Sequence, residues 1–374
     1  MSSLYIGLMS GTSLDGVDGV LVSLPTEADQ SMRVLEHVHR PFEASLRDEL
    51  LDLNHCGQNE LHRAALAGNA LARLYAQVVA DLLVGAGVDR RTVRAIGAHG
   101  QTVRHQPRQF DGTGYTIQLN APALLVELSG IDVVCDFRSR DIAAGGQGAP
   151  LVPAFHCATF GRYAQELAVL NLGGISNLTL MRANVVTHGF DCGPGNALMD
   201  LWCQRHTGAR FDDQGAWAAS GSVHTPLLNS MLREPYFSMQ PPKSSGRDLF
   251  NAAWLDSRLA GLSSPLEPVQ VQATLAELTT LVCARDVLNF VPHASLLVAC
   301  GGGALNRHLL ARLAVHLPRA TVKSSHDFGL PVDQVEACAF AWLAQAFLER
   351  RTGNLPVVTG ASAGRVLGAL YPAQ

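Results

Sequence analysis

Leu4-Tyr5-Ile6-Gly7-Leu8-Met9, Ser10-Gly11-Thr12-Ser13-Leu14-Asp15-Gly16 and Val17-Asp18-Gly19-Val20-Leu21-Val22-Ser23-Leu24 read in order as an apolar run, a polar glycine turn and a second apolar run. Asp-Gly between two such runs is a hairpin signal, because both residues tolerate positive φ. The plan returns in the middle of the chain, where Ala168-Val169-Leu170-Asn171-Leu172 leads through Gly173-Gly174-Ile175-Ser176-Asn177 into Leu178-Thr179-Leu180-Met181. The two copies share a pattern and little identity, and strand-turn-strand units are common enough that coincidence is the competing reading. A third glycine turn, Gly301-Gly302-Gly303, follows the apolar run Leu296-Leu297-Val298-Ala299-Cys300 and precedes Asn306 and a helical pattern through Leu309, Leu310, Leu313 and Val315.

Between these landmarks, Leu71, Leu74, Val78 and Leu82 recur at helical spacing and end at Gly85-Ala86-Gly87. Val93 to Ala98 reads as a short apolar stretch running into His99-Gly100-Gln101-Thr102, and Tyr115 to Leu119 as a strand. Ile131 to Phe137 reads as a buried strand that empties into a glycine-rich loop, Arg138 to Pro150. A boundary is therefore expected near residue 130, with domains 1–130, completed by 346–374, and 131–345. Lys243 to Arg247 reads as a polar loop, Leu275, Leu278 and Val282 as a helix, and Val335 to Arg350 as the closing helix.

Composition narrows the chemistry. The 374 residues are 47% hydrophobic and only 16% charged, well below the roughly 25% usual for globular chains. Lys243 and Lys323 are the only lysines, following Pro242 and Val322, so neither stands in the Gly-Lys-Ser/Thr context of a P-loop. A P-loop NTPase is excluded and a protein-kinase site disfavoured. A bound nucleotide would have to be held by glycine backbone and hydroxyls. With a net charge of −4 and no arginine run, a nucleic-acid partner is not expected. No signal-peptide pattern opens the sequence and no apolar run reaches the roughly 20 residues of a membrane span, so a cytoplasmic protein without a membrane partner is the expectation. The eight cysteines are scattered without a Cys-x-x-Cys pair, which favours buried thiols and argues against structural zinc.

The turn from Ser10 to Gly16 offers backbone N–H groups, hydroxyls and a carboxylate, suited to phosphate and magnesium; its plain alternative is a hairpin turn. Asp191, in Gly189-Phe190-Asp191-Cys192-Gly193-Pro194-Gly195-Asn196, stands on a glycine-proline turn at a strand end, where it would serve as a general base or equally as a helix N-cap. Arg138 and Arg140 stand among acidic neighbours, so surface ion pairs compete with recognition of a carboxylate-bearing ligand. Glu336 opens the last helix, where a first-turn carboxylate also suits the helix dipole.

Gly7-Leu8-Met9-Ser10-Gly11-Thr12-Ser13-Leu14-Asp15-Gly16-Val17-Asp18 resembles the amino-terminal motif of the anhydro-N-acetylmuramic acid kinases. His99 to Thr102, Gly145 to Pro153, Asn171 to Asn177, Gly189 to Asn196, Gly215 to Gly221 and Gly301 to Asn306 are similar to the same family, in order and nearly end to end. The resemblance implies the fold of the sugar-kinase, Hsp70 and actin superfamily: two related actin- or hexokinase-like, ribonuclease H-like α/β domains enclosing ATP. It also implies a reaction in which water opens the 1,6-anhydro ring while O6 is phosphorylated, giving N-acetylmuramic acid 6-phosphate and ADP, in a cytoplasmic homodimer that recycles cell-wall sugar.

Carried over residue by residue, the resemblance assigns ATP to Gly11, Thr12, Ser13, Leu14, Asp15, Gly16, Val17 and Asp18, to Gly173 and Gly174, and to Gly301, Gly302 and Gly303. Asp15 is the first choice for Mg2+ and Asp18 the second, Asp191 matches the catalytic base, and Thr102, Arg140 and Glu336 match sugar contacts. One departure is plain: many superfamily members carry an aspartate in the first strand before the turn, and here that stretch is Ile6-Gly7-Leu8-Met9. A different sugar acceptor on the same fold, or an actin-like ATP switch, are the competing readings.

Overall fold

The computed structural model describes residues 2–11, 13–25, 32–246 and 249–373. They fall into two compact units, Met1–Phe155 with Gln334–Gln374, and His156–Asp333.

In the first unit the opening hairpin is formed by β1 (Ser2–Ser10) and β2 (Gly16–Pro25), antiparallel with Met9 opposite Asp18. β3 (Arg33–Pro41) extends it antiparallel on the far side of β2. β4 (Val93–Pro107) adds in parallel to β1, carrying the hairpin partner β5 (Gly114–Leu119). β6 (Val133–Cys135) adds in parallel to β4. Helix Glu60–Ala86 lays Leu71, Tyr75, Val78 and Leu82 into the core beside Ile6, Leu8 and Leu21. Each fully buried side chain of this size contributes about 1.5–3 kcal/mol. The helix stops at Gly87, whose φ of 63° lets its N–H reach back to the Leu83 and Val84 carbonyls.

The second unit repeats the order. β7 (Glu166–Leu172), β8 (Ile175–Arg182) and β9 (Val185–Pro194) form an antiparallel meander, and β10 (Leu296–Cys300) and β11 (Thr321–Ser324) continue in parallel from β7. Its core joins Leu170, Leu180 and Leu297 to Leu275, Val282 and Val287 of helix Pro268–Phe290. The second sheet thus runs β9-β8-β7-β10-β11 and the first β3-β2-β1-β4-β6, with β5 set aside as the hairpin partner of β4: in both, an antiparallel meander continues into parallel strands in the ribonuclease H-like order. In the first unit β12 (Ala369–Tyr371) closes the far edge, antiparallel to β6.

Several expectations are corrected. Residues 131–155 and 334–345, expected in the second domain, join the first unit: β6 is hydrogen-bonded between β4 and β12, and helix Val335–Leu348 packs on β1 and β4. The strand expected from Ile131 to Phe137 shrinks to three residues because Asp136 takes φ 57°, and the following loop contains a short helix, Ser139–Ala143. The apolar stretch at Val93–Ala98 continues through His99 to Thr102 as part of β4, which bends at Gly100 (φ 78°). Asp191 likewise lies within β9 rather than on a turn. The second hairpin is tighter than expected, since Asn177 pairs with Asn171 and Ser176 with Leu172. No helix of the described residues is long and apolar enough to cross a membrane.

Candidate functional site

The polar turn of the first unit is held from beneath by the stretch His99 to Gln101. Gln101 donates its Nε2–H to the Gly11 carbonyl at 3.1 Å, and His99 Nδ1 lies 3.3 Å from the Ser10 carbonyl. Ser10 Oγ donates to the Gly100 carbonyl at 3.2 Å and meets the buried Tyr75 hydroxyl at 3.1 Å. Within the turn, Leu14 adopts φ 54° and donates its N–H to the Gly11 carbonyl. Leu14 and Val17 point into the core, so the turn offers backbone and not these side chains. Gly16 has no room for a side chain, since a Cβ would come within 2.3 Å of the Arg40 carbonyl oxygen. Thr12 lies outside the described residues.

The acidic members differ in their freedom. Asp15 is exposed and accepts the Ser13 hydroxyl at 2.8 Å. Asp18 Oδ1 is engaged by two imidazoles, His37 Nε2 at 3.3 Å and His39 Nδ1 at 3.0 Å. Asp15 is therefore the carboxylate more open to a magnesium ion, which binds through one or two carboxylates together with substrate phosphates.

Glu336 begins helix Val335–Leu348 with an accessible surface although protein atoms crowd it. That crowding raises its carboxyl above the usual glutamate range; Arg138 opposes the rise, and Asp18 and Asp15 add to it. Arg138 donates from Nε and Nη2 to His99 Nε2, at 3.1 and 2.9 Å, and from Nη1 to the Gly148 carbonyl at 2.8 Å. A ring nitrogen that accepts twice from a guanidinium carries a lone pair, so His99 is neutral with its proton on Nδ1. Burial, then Arg138, hold its pKa well below the ordinary value. Arg138 itself is pushed down to about 10 by burial, with Glu336 and Asp141 acting against that shift. Arg140 turns away, donating to the Val366 carbonyl at 3.1 Å. Thr102, opposite Gln118 on β5, accepts from the Gln118 amide at 3.2 Å. The structure thus gathers Asp15, Asp18, Glu336 and Arg138, and leaves Arg140 outside that group.

In the second unit the glycine turns lie side by side. A Cβ on Gly303 would meet Leu172 at 2.6 Å, and one on Gly301 would meet Asn171 Oδ1 at 2.3 Å. The carbonyls of Gly173 and Gly174 accept from the N–H groups of Gly195, Asn196 and Ala197 at the head of helix Ala197–Thr207. Gly302 opens a 3-10 turn and Asn306 caps the helix Arg307–His316 through the Leu309 N–H, so the triple glycine is separated from the helix start.

Asp191 is half-buried on β9, opposite Asn177. Its Oδ2 accepts the Ser244 hydroxyl and the Ser245 N–H, each at 3.0 Å, and its carbonyl accepts the Tyr236 hydroxyl at 2.8 Å. Burial lifts the carboxyl above the usual aspartate range, while the Ser245 N–H, the Ser244 hydroxyl and Lys243 pull the other way. Asp191 is not an N-cap: Asn196 precedes the helix at Ala197. The serines and Lys243 were legible only as a polar loop, since their partner lies far away in sequence; Arg247 of that loop lies outside the described residues.

A family model described as anhydro-N-acetylmuramic acid kinase matches residues 3–373. Among individual proteins, the chain is similar to the anhydro-N-acetylmuramic acid kinase of Albidiferax ferrireducens, at 59% identity over 100% of both chains. It is similar to that of Variovorax paradoxus at 60% identity over 99% of both, and to that of Bordetella pertussis at 56% over 99% of this chain and 96% of the relative. Among solved structures, component A of (R)-2-hydroxyglutaryl-CoA dehydratase from Acidaminococcus fermentans is matched at TM-score 0.48 and 10% identity, over 91% of this chain and 96% of that one.

Proposed function

Because the chain belongs to the anhydro-N-acetylmuramic acid kinase family, we propose that Asp191 is the general base of its reaction. The enzyme is an ATP-dependent sugar kinase that opens the 1,6-anhydro ring of anhydro-N-acetylmuramic acid with water and phosphorylates O6, giving N-acetylmuramic acid 6-phosphate and ADP for cell-wall sugar recycling. The readings as a kinase of another sugar or an ATP switch are not favoured at this identity.

One observation carries the base assignment: a half-buried carboxylate, raised by burial, with both donors on Oδ2. Among the described residues no hydrogen bond reaches Oδ1, which leaves that oxygen for a water proton. The proton passes to Oδ1 and the water oxygen bonds to the anomeric carbon. The bond from that carbon to O6 breaks with its electron pair on O6, which attacks the γ-phosphorus and releases ADP. One base serves both ends, because O6 becomes a nucleophile as it leaves.

The N–H groups of the turn from Gly11 to Asp18 are proposed to hold the phosphates, with Gly173 and Gly174 as further donors and Gly301 to Gly303 beside the adenosine. Asp15 is the proposed carboxylate for Mg2+, which supplies charge neutralisation on the phosphates when bound. Glu336 and Thr102 are proposed sugar contacts; Arg140 is a third on the family resemblance alone. A cytoplasmic homodimer belongs to the same proposal and rests on the same resemblance, with equilibrium sedimentation as the check on the dimer.

The test is ADP release from ATP and magnesium with and without the anhydro sugar, in the wild type and in Asp191→Asn. Turnover in the variant is expected to fall about 10²–10⁴-fold, the usual contribution of a general base, while ATP binding and the melting curve are kept. Near-normal turnover would refute the assignment.

A further inference from the structure

We infer that the segment Lys243-Ser244-Ser245 determines which oxygen of Asp191 takes the proton, and that Ser244 is a positioning residue acting through that carboxylate. The inference rests on Asp191 being the base. Three contacts tie the segment to the strand at this one residue: the Asp191 N–H to the Lys243 carbonyl at 3.3 Å, and the Ser244 hydroxyl and Ser245 N–H to Oδ2. A carboxylate clamped by two donors on one oxygen cannot rotate without losing both, so the second oxygen keeps a constant direction.

The anchor of the segment lies underneath. Lys243 is one of only two lysines in the chain, and it is buried with its Nζ 3.3 Å from Asp286 Oδ2, itself buried on helix Pro268–Phe290. The same ammonium lies 5.3 Å from the ring centres of both Phe190 and Tyr236, and Tyr236 holds the Asp191 carbonyl. A desolvated ion pair is weak evidence for stability, since desolvation can consume the attraction, but it holds a backbone in one place. Here that backbone is the one that delivers both donors to Oδ2.

The charged and titratable groups around the carboxylate are few. From its own segment comes Lys243; from the strand, Cys192; from helix Pro268–Phe290, Cys283, Arg285 and Asp286; and from the turn before the segment, Tyr236. Burial raises the Cys192 thiol and the Tyr236 phenol above their ordinary range and keeps both neutral, and Asp286 is paired with Lys243. The ionised form of Asp191 therefore depends on Ser245, Ser244 and Lys243, of which only Ser244 acts through an exposed side chain that can be removed without opening the core.

The experiment is the pH profile, from pH 5 to 9, of kcat and of kcat/KM for the anhydro sugar in the full-length enzyme, read by ADP release. Removing a donor that favours the charged form raises the pKa of the base. Ser244→Ala is expected to move the acidic limb up by about one pH unit, the size of a single hydrogen bond to a charged group. The alkaline plateau is expected to fall by about tenfold or less, with KM for both substrates within about twofold and the melting curve unchanged. Ser244→Thr, which keeps the hydroxyl, restores the limb. A limb that superimposes on the wild type overturns the inference, and so does a rise in sugar KM without a limb shift, which would make Ser244 a ligand contact. Asp191→Asn separates the two readings: if it is inactive while Ser244→Ala is unshifted, only this inference fails, and if it turns over normally, the base assignment fails as well.

Discussion

Gly7→Ala adds one methyl group where two backbones meet. Gly7 of β1 pairs in register with Gly97 of β4, and helix Val335–Leu348 crosses above them. An ideal Cβ on Gly7 would stand 1.9 Å from the Ala337 carbonyl oxygen and 2.9 Å from the Ala341 nitrogen; one on Gly97 would stand 2.0 Å from the Phe340 carbonyl oxygen. Real Cβ contacts essentially never fall under 3.0 Å, and helix backbone cannot rotate aside, so the helix must retreat by about 1 Å or the strand must buckle. Overpacking of this kind costs about 1–3 kcal/mol, and the backbone obstruction puts Gly7→Ala at the upper end, offset by no more than the roughly 0.5–1 kcal/mol that alanine gains over glycine within a strand. At about 2–4 °C per kcal/mol for a unit of this size, a loss of about 2 kcal/mol lowers the melting temperature by about 4–8 °C. Glu336, the proposed sugar contact, starts that same helix, and a misplacement of about 1 Å at a reacting site can cost about 10² in rate. Thermal melts and ADP release measure the two consequences, with Gly57→Ala as the control because a Cβ there meets only the end of the Arg63 side chain at 3.5 Å. If Gly7→Ala melts and turns over like the wild type, the close approach of helix and sheet is not what holds Glu336 in place.

Gly11→Ala keeps its space, since the nearest atom to a Cβ is 3.6 Å away, so the melt is expected to stay unchanged while the KM for ATP rises about tenfold through a less close phosphate approach; an unchanged KM would remove Gly11 from the nucleotide contacts. Acid stability tests the buried histidines. Burial holds the His156 pKa down at about 3 against an ordinary 6.5, with Nδ1 2.9 Å from the Thr179 hydroxyl. A depressed pKa means that the folded protein binds fewer protons, so this contribution is intact above pH 6.5 and is lost as pH falls from 6.5 through about 3, by up to about 5 kcal/mol. His99 acts in the same direction. Urea midpoints of His156→Gln are expected to fall less than those of the wild type between pH 7 and 5, and parallel curves would show that His156 does not carry the acid sensitivity.

Legibility in the sequence followed the range of the interaction. Both hairpins, the Gly87 stop, the helix after Asn306 and the strand before Gly301 were readable because each is set by turn chemistry or a helical repeat within a few residues. The extent of β4 was not, because His99 to Thr102 continues as strand only through pairing with β5 and a bend that glycine permits. The division of the chain follows the same rule: the apolar run at Ile131 to Phe137 reads as a strand, but which sheet takes it depends on partners far off at Ile96, Gly97 and Ala369–Tyr371.

By itself the sequence determined the duplicated hairpin plan, the exclusion of lysine-dependent phosphate sites, and the motifs that carry the family, since all of these are contiguous strings. Tertiary structure alone decided that Arg138 and not Arg140 faces Glu336, that His37 and His39 engage Asp18 and leave Asp15 more open, and that a loop around a buried lysine clamps Asp191. The physical reason is that charge and hydrogen bonding act through space over a few ångströms. Partners at that distance here stand tens or hundreds of positions apart, and only the sheet order and the packing of helices on it bring them together.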